Sequence, residues 1–159
     1  MTLDHGVAER LQGRSLAWRL GASTTAAIGV VLVTWALSVD FVKASNGGFF
    51  GDAATYYTLG HSLAADLDFE YRRDDLARVS KEFPSGPEGL FLKRGSDGRL
   101  FYAKAYIYPL LAAPFVRIFG TNGFLLLHAL LMTLCFVCAY SFLCARSHPV
   151  AALVFACAF

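Results

Sequence analysis

The feature that most constrains this chain is an uncharged run of twenty residues, from Leu20 to Val39. Twenty helical residues rise by ~1.5 Å each and extend ~30 Å, the thickness of a bilayer's hydrocarbon core. A second uncharged run extends from Gly123 to Cys144. Charged residues make up only 16% of the chain, below the ~25% typical of soluble domains, and most lie between the two runs. The sequence therefore predicts an all-α membrane protein with one long polar loop.

The apolar runs divide the chain into five parts. The predicted parts are a cytoplasmic N-terminal segment (1–19), transmembrane helix 1 (20–42), an external loop (43–122), transmembrane helix 2 (123–145) and the beginning of a third transmembrane helix (149–159). Arg10, Arg14 and Arg19 precede the first helix, and such positive residues favour the cytoplasmic side. The last run is too short to span, so we expect the chain to be the N-terminal fragment of a longer multi-span protein.

The external loop is predicted to carry a first juxtamembrane helix over residues 52–67. Tyr56, Leu59, Leu63 and Leu67 are spaced by three or four residues, as on one face of a helix. Polar residues share the remainder of the helix surface (Thr58, His61, Ser62 and Asp66). This pattern indicates an amphipathic helix, which beside a span often lies in the membrane interface.

A hairpin and a second juxtamembrane helix are predicted further along the loop. Residues 90–103 consist of two apolar stretches around Asp97-Gly98, a dipeptide typical of hairpin turns. Residues 105–119 are apolar except for Arg117 but, at ~22 Å, too short to cross a bilayer. Pro114 is expected to break this helix. Residues 46–48, Asn-Gly-Gly, are predicted to form a turn.

Two charged residues of this loop lie next to the predicted helices, in positions suited to catalysis. Asp52 follows the first predicted span by about ten residues, and Lys104 directly precedes the second juxtamembrane helix. A carboxylate at a membrane surface can act where a lipid-linked substrate meets a water-soluble one. The loop from Lys43 to Lys104 contains nine Lys/Arg and nine Asp/Glu residues, a balance that gives no basis for nucleic-acid binding.

The order of features in residues 20–144 resembles the GT-C class of polytopic glycosyltransferases, in the branch near the protein mannosyltransferases and the lipid A aminoarabinose transferases. A span is followed by Gly-Asp-x-x-x-Tyr, ending at Tyr56, and then by Asp68, sixteen residues after Asp52. Gly-x-Asp-Gly-Arg-x-x-Tyr-x-Lys comes next and contains Tyr102 and Lys104. An apolar helix with two prolines and another span complete the pattern.

The resemblance implies roles for five residues. It implies that Asp52 is a general base or orienting group near the acceptor, and that Lys104 contacts the lipid phosphate of the donor. It also suggests that Tyr56, Tyr102 and Asp68 line the substrate site. The residue types allow simpler roles: Asp52 as a helix N-cap, Lys104 as an interfacial lysine, Asp68 as a solvated acid, and the tyrosines as interface aromatics.

The function expected from the resemblance is transfer of a sugar from a polyprenyl-phosphate-linked donor to an acceptor lipid, glycan or protein. We expect a multi-pass protein of the cytoplasmic (inner) membrane, in contact with membrane lipid, whose active face is external or periplasmic. No cofactor, metal or nucleic acid is expected. A transporter or channel subunit and a non-catalytic membrane scaffold remain alternatives, although the predicted spans contain few of the mid-membrane polar groups that transporters use.

The topology can be tested with single cysteines at Ser96, in the predicted external loop, and at Gln12, in the predicted cytoplasmic segment. In intact cells a membrane-impermeant thiol reagent should label the Ser96→Cys chain and leave Gln12→Cys unlabelled, with the unsubstituted chain giving the background. Labelling at Gln12→Cys alone would reverse the topology.

Overall fold

The computed structural model describes residues 3–45 and 50–158, with side chains from residue 13 onward except residue 14. This part of the chain is mostly helical, as predicted. Its elements are α1 (Leu3–Ser38), α2 (Phe41–Ala44), α3 (Gly51–Ala65), α4 (Arg73–Glu82), β1 (Leu92–Arg94), β2 (Leu100–Tyr102), α5 (Ile107–Phe119), α6 (Asn122–Cys144) and α7 (Pro149–Cys157). The turn predicted at residues 46–48 lies outside the described residues.

Two helices are long and apolar enough to cross a membrane: the Ser15–Ser38 part of α1, and α6. Only 11% of the first apolar stretch is buried, against 39% of the second. The bounds differ from the predicted ones in that α1 begins at Leu3, within the predicted N-terminal segment, and ends at Ser38 rather than at residue 42. The early end has a local cause, because the Asp40 side chain accepts a hydrogen bond from the Lys43 backbone N–H at 3.1 Å and begins the separate helix α2.

The chain divides into two compact units, which we call the helix unit (residues 1–35 and 128–159) and the loop unit (residues 36–127). In the helix unit the Tyr140 hydroxyl donates a hydrogen bond to the Ala17 carbonyl at 2.7 Å. Gly21 lies so close that a Cβ there would be 2.3 Å from the Tyr140 ring. The small residue therefore lets α1 and α6 approach closely. Phe136 and Tyr140 of α6 pack with Ala152 and Ala156 of α7 to form the core of this unit.

Helix α3 is the central helix of the loop unit. Leu59 and Leu63 are buried as the apolar pattern predicted, but Thr55, Thr58 and Ser62 are fully buried as well. The predicted helix is present, but the prediction that its polar side chains lie on an exposed face is wrong. Burial is tolerated because the Thr55 and Thr58 hydroxyls donate to backbone carbonyls four residues earlier, at 2.8 and 2.7 Å, which satisfies their hydrogen-bonding groups. The predicted helix also ends early.

The early end of α3 concerns Leu67, which the apolar stripe placed inside the helix. The helix ends at Ala65, and Leu67 adopts a left-handed conformation with φ of 57°. Its side chain is 74% exposed. The backbone turns away at this point, so the fourth member of the predicted stripe takes no part in the packing of α3.

Helix α5 packs on α3 through one face and exposes an apolar stripe on the other. Pro109, Ala112, Ala113 and Val116 form the buried face. The exposed stripe consists of Ile107, Leu110, Leu111, Pro114 and Ile118. The helix continues through Pro114 to Phe119, so the predicted break there is absent. Pro114 lies on the exposed side.

Strands β1 and β2 form an antiparallel pair in which Leu92 lies opposite Tyr102 and Arg94 opposite Leu100. The Phe69–Tyr71 segment adds hydrogen bonds on the other edge of β2, since the Tyr71 N–H donates to the Leu100 carbonyl at 2.8 Å. The hairpin is thereby joined to the segment between α3 and α4, and it delivers the chain to the beginning of α5.

Helix α4 was not predicted from the sequence. Asp75 explains why it forms. Its carboxylate is 1% exposed, accepts a hydrogen bond from the Arg72 backbone N–H at 2.8 Å and pairs with Arg78 at 2.6 Å. Val79 and Phe83 are buried against the core. A capping carboxylate three residues into the helix and two buried apolar side chains therefore fix α4.

The end of α1 is fastened to the beginning of α6 within the loop unit. The Asn122 side-chain amide donates to the backbone carbonyls of Leu37 and Val39 at 3.3 and 3.2 Å. The last carbonyls of a helix have no partner within the helix itself. A side chain supplied from more than eighty residues further along the chain therefore satisfies carbonyls at the end of α1.

Close packing between α5 and the beginning of α6 can be tested at Gly123. A Cβ at this position would be 2.4 Å from the backbone of Phe115 and Val116. We expect Gly123→Ala to destabilise the protein by about 1–3 kcal/mol through overpacking, measured as a lower thermal unfolding midpoint in detergent.

The control for this prediction is Gly13→Ala, because no atom of the described residues lies within 4 Å of a Cβ at Gly13. Both glycines lie in helices, so neither substitution is opposed by helix propensity. Their difference isolates the steric effect. Equal unfolding midpoints for the two variants would show that the helices do not approach as described.

Candidate functional site

The two charged residues singled out from the sequence are in contact. The Nζ atom of Lys104 lies 2.7 Å from Oδ1 of Asp52. Asp52 is the second residue of α3, and Lys104 lies between β2 and α5. The Asp52 side chain is 61% exposed and that of Lys104 is 26% exposed. The pair is therefore open to solvent on the carboxylate side, which is the condition for a substrate to reach it.

The contact follows from the parallel packing of α3 and α5. Asp52 meets Lys104 near the N-terminal ends, the Tyr56 and Tyr108 rings meet edge to face at 6.2 Å, and Arg117 Nη1 donates to the Ala64 carbonyl at 3.3 Å. The three contacts join successive positions of α3 to successive positions of α5, from the N-terminal to the C-terminal end of both helices. The parallel arrangement brings the residue before α5 to the first turn of α3.

The first turn of α3 is held by the chain segment that precedes the hairpin. Gly51 has φ of +63°, a conformation that glycine adopts without steric cost, and its N–H donates to the Glu88 carbonyl at 2.9 Å. The Phe91 N–H donates to the Thr55 hydroxyl at 3.1 Å. The Phe91 ring then lies under the Lys104 ammonium, with Nζ 4.0 Å from the ring centre. Lys104 is thus held by a carboxylate and by a cation–π contact.

Asp52 is not the N-cap of α3. The N-cap is Phe50, which makes no side-chain capping hydrogen bond. A carboxylate in the first turn is still favoured by the partial positive charge of a helix N-terminus, and the Lys104 ammonium adds to this.

The other three residues from the sequence are placed differently from one another. Tyr56 is half-buried beside Tyr108, next to the ion pair along α3. Asp68 lies beyond the other end of α3, where it accepts a hydrogen bond from the Ser62 hydroxyl at 3.2 Å and pairs with Arg72 at 3.0 Å. Asp68 therefore fastens the segment after α3.

Tyr102 belongs to the core of the loop unit. Its side chain is 8% exposed, and its ring meets that of Tyr71 edge to face at 5.8 Å. Burial raises the pKa of its hydroxyl, and nearby Asp75 raises it further. The structure therefore groups only Tyr56 with Asp52 and Lys104, and leaves Asp68 and Tyr102 elsewhere.

A second group of polar residues, absent from the sequence-based site, joins α3 to α4 and α6. The Tyr57 hydroxyl donates to Glu82 Oε2 at 2.8 Å and lies 2.7 Å from the Thr121 hydroxyl, and Thr121 also bonds Glu82. Burial raises the pKa of Tyr57, and the Glu82 carboxylate raises it further. The partners are far apart in sequence, so no motif spacing could have revealed the group.

His61 lies beside this group. Its ring is 4.5 Å from that of Tyr57 and 5.8 Å from that of Phe124, measured between centres. Burial lowers the pKa of His61, an effect opposed by the nearby carboxylates of Glu82 and Asp75 and reinforced by Arg78. The imidazole is therefore held in its neutral form at pH 7.

Comparisons of the chain with protein-family models, with curated proteins and with solved structures find no match. Within the described ranges, no three His, Cys, Asp or Glu side chains come together as a set of metal ligands.

The lowered pKa of His61 predicts a loss of stability in acid. Unfolding restores the ordinary pKa of ~6.5, so the unfolded chain binds the proton more readily than the folded one. The stability contributed by neutral His61 is present above pH ~6.5 and is lost as pH falls through the lower folded-state pKa. We expect the thermal unfolding midpoint to decrease as the pH is lowered below ~6.5. The decrease should be smaller in His61→Phe.

The control for this pH dependence is His148→Asn. His148 is exposed and caps α7 through its Nδ1 atom, a capping role that Asn fills well. This variant should keep the acid sensitivity of the unsubstituted chain. An unchanged pH profile in His61→Phe would contradict a neutral, buried His61.

Proposed function

We propose that this chain forms part of a membrane glycosyltransferase that moves a sugar from a polyprenyl-phosphate-linked donor to an acceptor on the external face of the cytoplasmic membrane. The observation that carries the proposal is the 2.7 Å contact between Asp52 and Lys104. Transfer from a phosphate needs a group that accepts the proton of the acceptor hydroxyl and a cation beside the leaving phosphate. A carboxylate and an ammonium held together supply both.

The proposed reaction uses the two charges at different bonds. The acceptor oxygen attacks the anomeric carbon of the sugar while its proton passes to Asp52. The bond between that carbon and the phosphate oxygen breaks, and the polyprenyl phosphate leaves with the electron pair. Lys104 stabilises the negative charge that develops on this leaving group. The acceptor is a hydroxyl-bearing lipid, glycan or protein.

The ion pair represents the state without substrate in this proposal. Lys104 has three N–H donors on a flexible four-carbon stem, and Asp52 occupies one of them. An arriving phosphate takes the remaining donors and draws the ammonium away from Asp52. The carboxylate then becomes a free acceptor for the proton of the second substrate. Donor binding would thereby prepare the base.

The apolar stripe of α5 supports a position at the membrane surface. Ile107, Leu110, Leu111 and Ile118 are between 46% and 74% exposed, and α5 begins three residues after Lys104. A helix with such a stripe lies in the interface of a bilayer with its apolar side chains among the lipids. Lys104 would then be at the depth of lipid headgroups, where the phosphate of a polyprenyl carrier also lies. The two long apolar helices support a multi-pass protein.

Tyr56 is the third residue of the proposed site. It is half-buried against Tyr108, one helical turn after Asp52. An aromatic ring one helical turn from Asp52 offers an apolar face to the sugar ring, while its hydroxyl offers a polar contact. We assign it a positioning role rather than a chemical one.

The proposal is tested by Asp52→Asn in the protein that carries this chain. Asparagine preserves the shape and a hydrogen bond to Lys104 but cannot act as a base. We expect transfer of labelled sugar from a polyprenyl phosphate, in reconstituted membranes, to fall by a factor of about 10²–10⁴. The control is Asp97→Asn, the same change at a carboxylate that is 44% exposed and pairs with Arg99 in the hairpin turn, which should leave transfer unchanged.

Exchanging the two charges separates a catalytic role from a structural one. The double variant Asp52→Lys with Lys104→Asp restores an ion pair in reversed order. If the pair only stabilises the fold, the double variant should recover the folding yield and activity lost by either single variant. We expect recovered folding without transfer. Near-normal transfer in Asp52→Asn, or in the exchanged variant, would exclude Asp52 as the base.

A further inference from the structure

A second polar pocket lies towards the other end of α3 from Asp52 and Lys104. It has a volume of about 290 Å³ and is lined by His61, Ala64, Ala65, Arg78, Val116 and Arg117. Nine residues separate Asp52 from His61 on α3, which corresponds to ~14 Å along the helix axis. The pocket is therefore distinct from the proposed transfer site, and nothing in the proposed reaction uses it.

Two buried nitrogen atoms of this pocket have no hydrogen-bond partner among the residues that the structure describes. They are Nε2 of His61 and Nε of Arg78. Buried side-chain polar atoms are nearly always hydrogen-bonded, so an exception needs an explanation. In the described part of the chain, the one other such atom is the Tyr102 hydroxyl. Two of the three thus line a single small cavity.

The protein cannot readily satisfy these atoms by rearranging. The Nη2 atom of Arg78 bonds Asp66 and Asp75, which fixes the plane of the guanidinium and leaves its Nε edge unused. The His61 ring packs against the rings of Tyr57 and Phe124, which restricts its rotation. Both residues line the same pocket, and each has one buried nitrogen atom without a partner among the described residues.

We infer that this pocket binds a phosphate group. Every charged or titratable side chain that lines it is a hydrogen-bond donor, and no carboxylate is among the lining residues. The planar fork of arginine matches phosphate oxygens, and neutral His61 donates from Nε2. A volume of 290 Å³ is at the small end for ligand pockets, which suits one phosphate-sized group rather than a whole sugar donor.

Arg117 provides the entrance to the pocket. It is exposed, its Nη1 makes only a 3.3 Å bond to the Ala64 carbonyl, and it precedes Ile118 of the apolar stripe. Arg78 pairs with both Asp66 and Asp75, whose two negative charges exceed its single positive charge. The uncompensated positive charge at the pocket is therefore that of Arg117. The phosphate could belong to a free anion or to the headgroup of a lipid beside α5, and both present the same oxygens.

The inference is tested with the full chain in detergent. In one arm, inorganic phosphate is titrated at constant ionic strength, with chloride as the exchanged anion, and the unfolding midpoint is followed. Binding to the folded state alone raises the midpoint with phosphate concentration. In the second arm, phosphatidylglycerol is titrated and retained lipid is counted by native mass spectrometry, with phosphatidylcholine as reference. Phosphate binding in the first arm would identify a free anion as the ligand. A preference for phosphatidylglycerol in the second arm would identify a lipid headgroup.

The variants for both arms are Arg117→Gln, which removes the entrance charge, and His61→Phe, which removes a donor and keeps the aromatic packing. Each should raise the dissociation constant about tenfold, the effect of one lost hydrogen bond to a charged group. Arg78 is left unchanged because its loss would leave buried Asp75 unpaired. The matched control is Arg94→Gln, an exposed cation on β1, which should leave binding unchanged.

Three results would overturn the inference. The first is the absence of both phosphate binding and lipid preference, which would mean that water fills the pocket. The second is equal weakening by Arg94→Gln, which would indicate attraction to surface charge in general. The third is undiminished binding in both pocket variants. None of these readouts depends on sugar transfer, so the outcome is separate from that of the Asp52 experiments.

Discussion

The loop unit depends on helix α3, which is buried on most of its surface although seven of its fifteen residues carry polar side-chain atoms. Helix α3 tolerates this because Thr55 and Thr58 bond its own backbone, Ser62 bonds Asp68, and Tyr57 bonds Glu82. With its polar groups satisfied, the helix can pack against α5 in parallel. That packing sets both polar sites, since one lies where the two helices begin and the other where Arg117 reaches Ala64.

The sequence could identify Asp52 and Lys104 separately, but not their contact. Charge at the edge of an apolar run and the order of motifs singled out each residue, whereas the contact requires α3 and α5 to be parallel, which no periodicity reveals. The prediction that the polar residues of the helix at residues 52–67 are exposed was wrong for a related reason. The hydrophobic periodicity assigns Thr58 and Ser62 to the exposed face because they are polar. Their local hydrogen bonds, however, lower the free-energy cost of burying them. Helix α4 escaped prediction because Asp75 acts as a buried cap while resembling a solvated acid.

The openness of the Asp52–Lys104 pair bears on how it can work. Ion pairs between solvent-exposed groups contribute little to stability, and Asp52 is largely exposed. The loop unit therefore depends little on this contact, in contrast to the Asp75–Arg78 pair, whose carboxylate is buried. A charge pair that can separate at small cost is suited to exchange partners with a substrate. Helix α3 thus carries a fixed network along its buried side and an exchangeable pair at its beginning.

The amide of Asn122 has a consequence for the order in which the chain is assembled during synthesis. It satisfies the carbonyls of Leu37 and Val39, yet it emerges from the ribosome more than eighty residues later. Until then these carbonyls need water, because an unpaired carbonyl is costly in a hydrocarbon environment. The last turn of α1 therefore has no partner from Asn122 until the whole loop unit has been synthesised. Completion of the loop unit and fastening of the end of α1 are thus one event in folding.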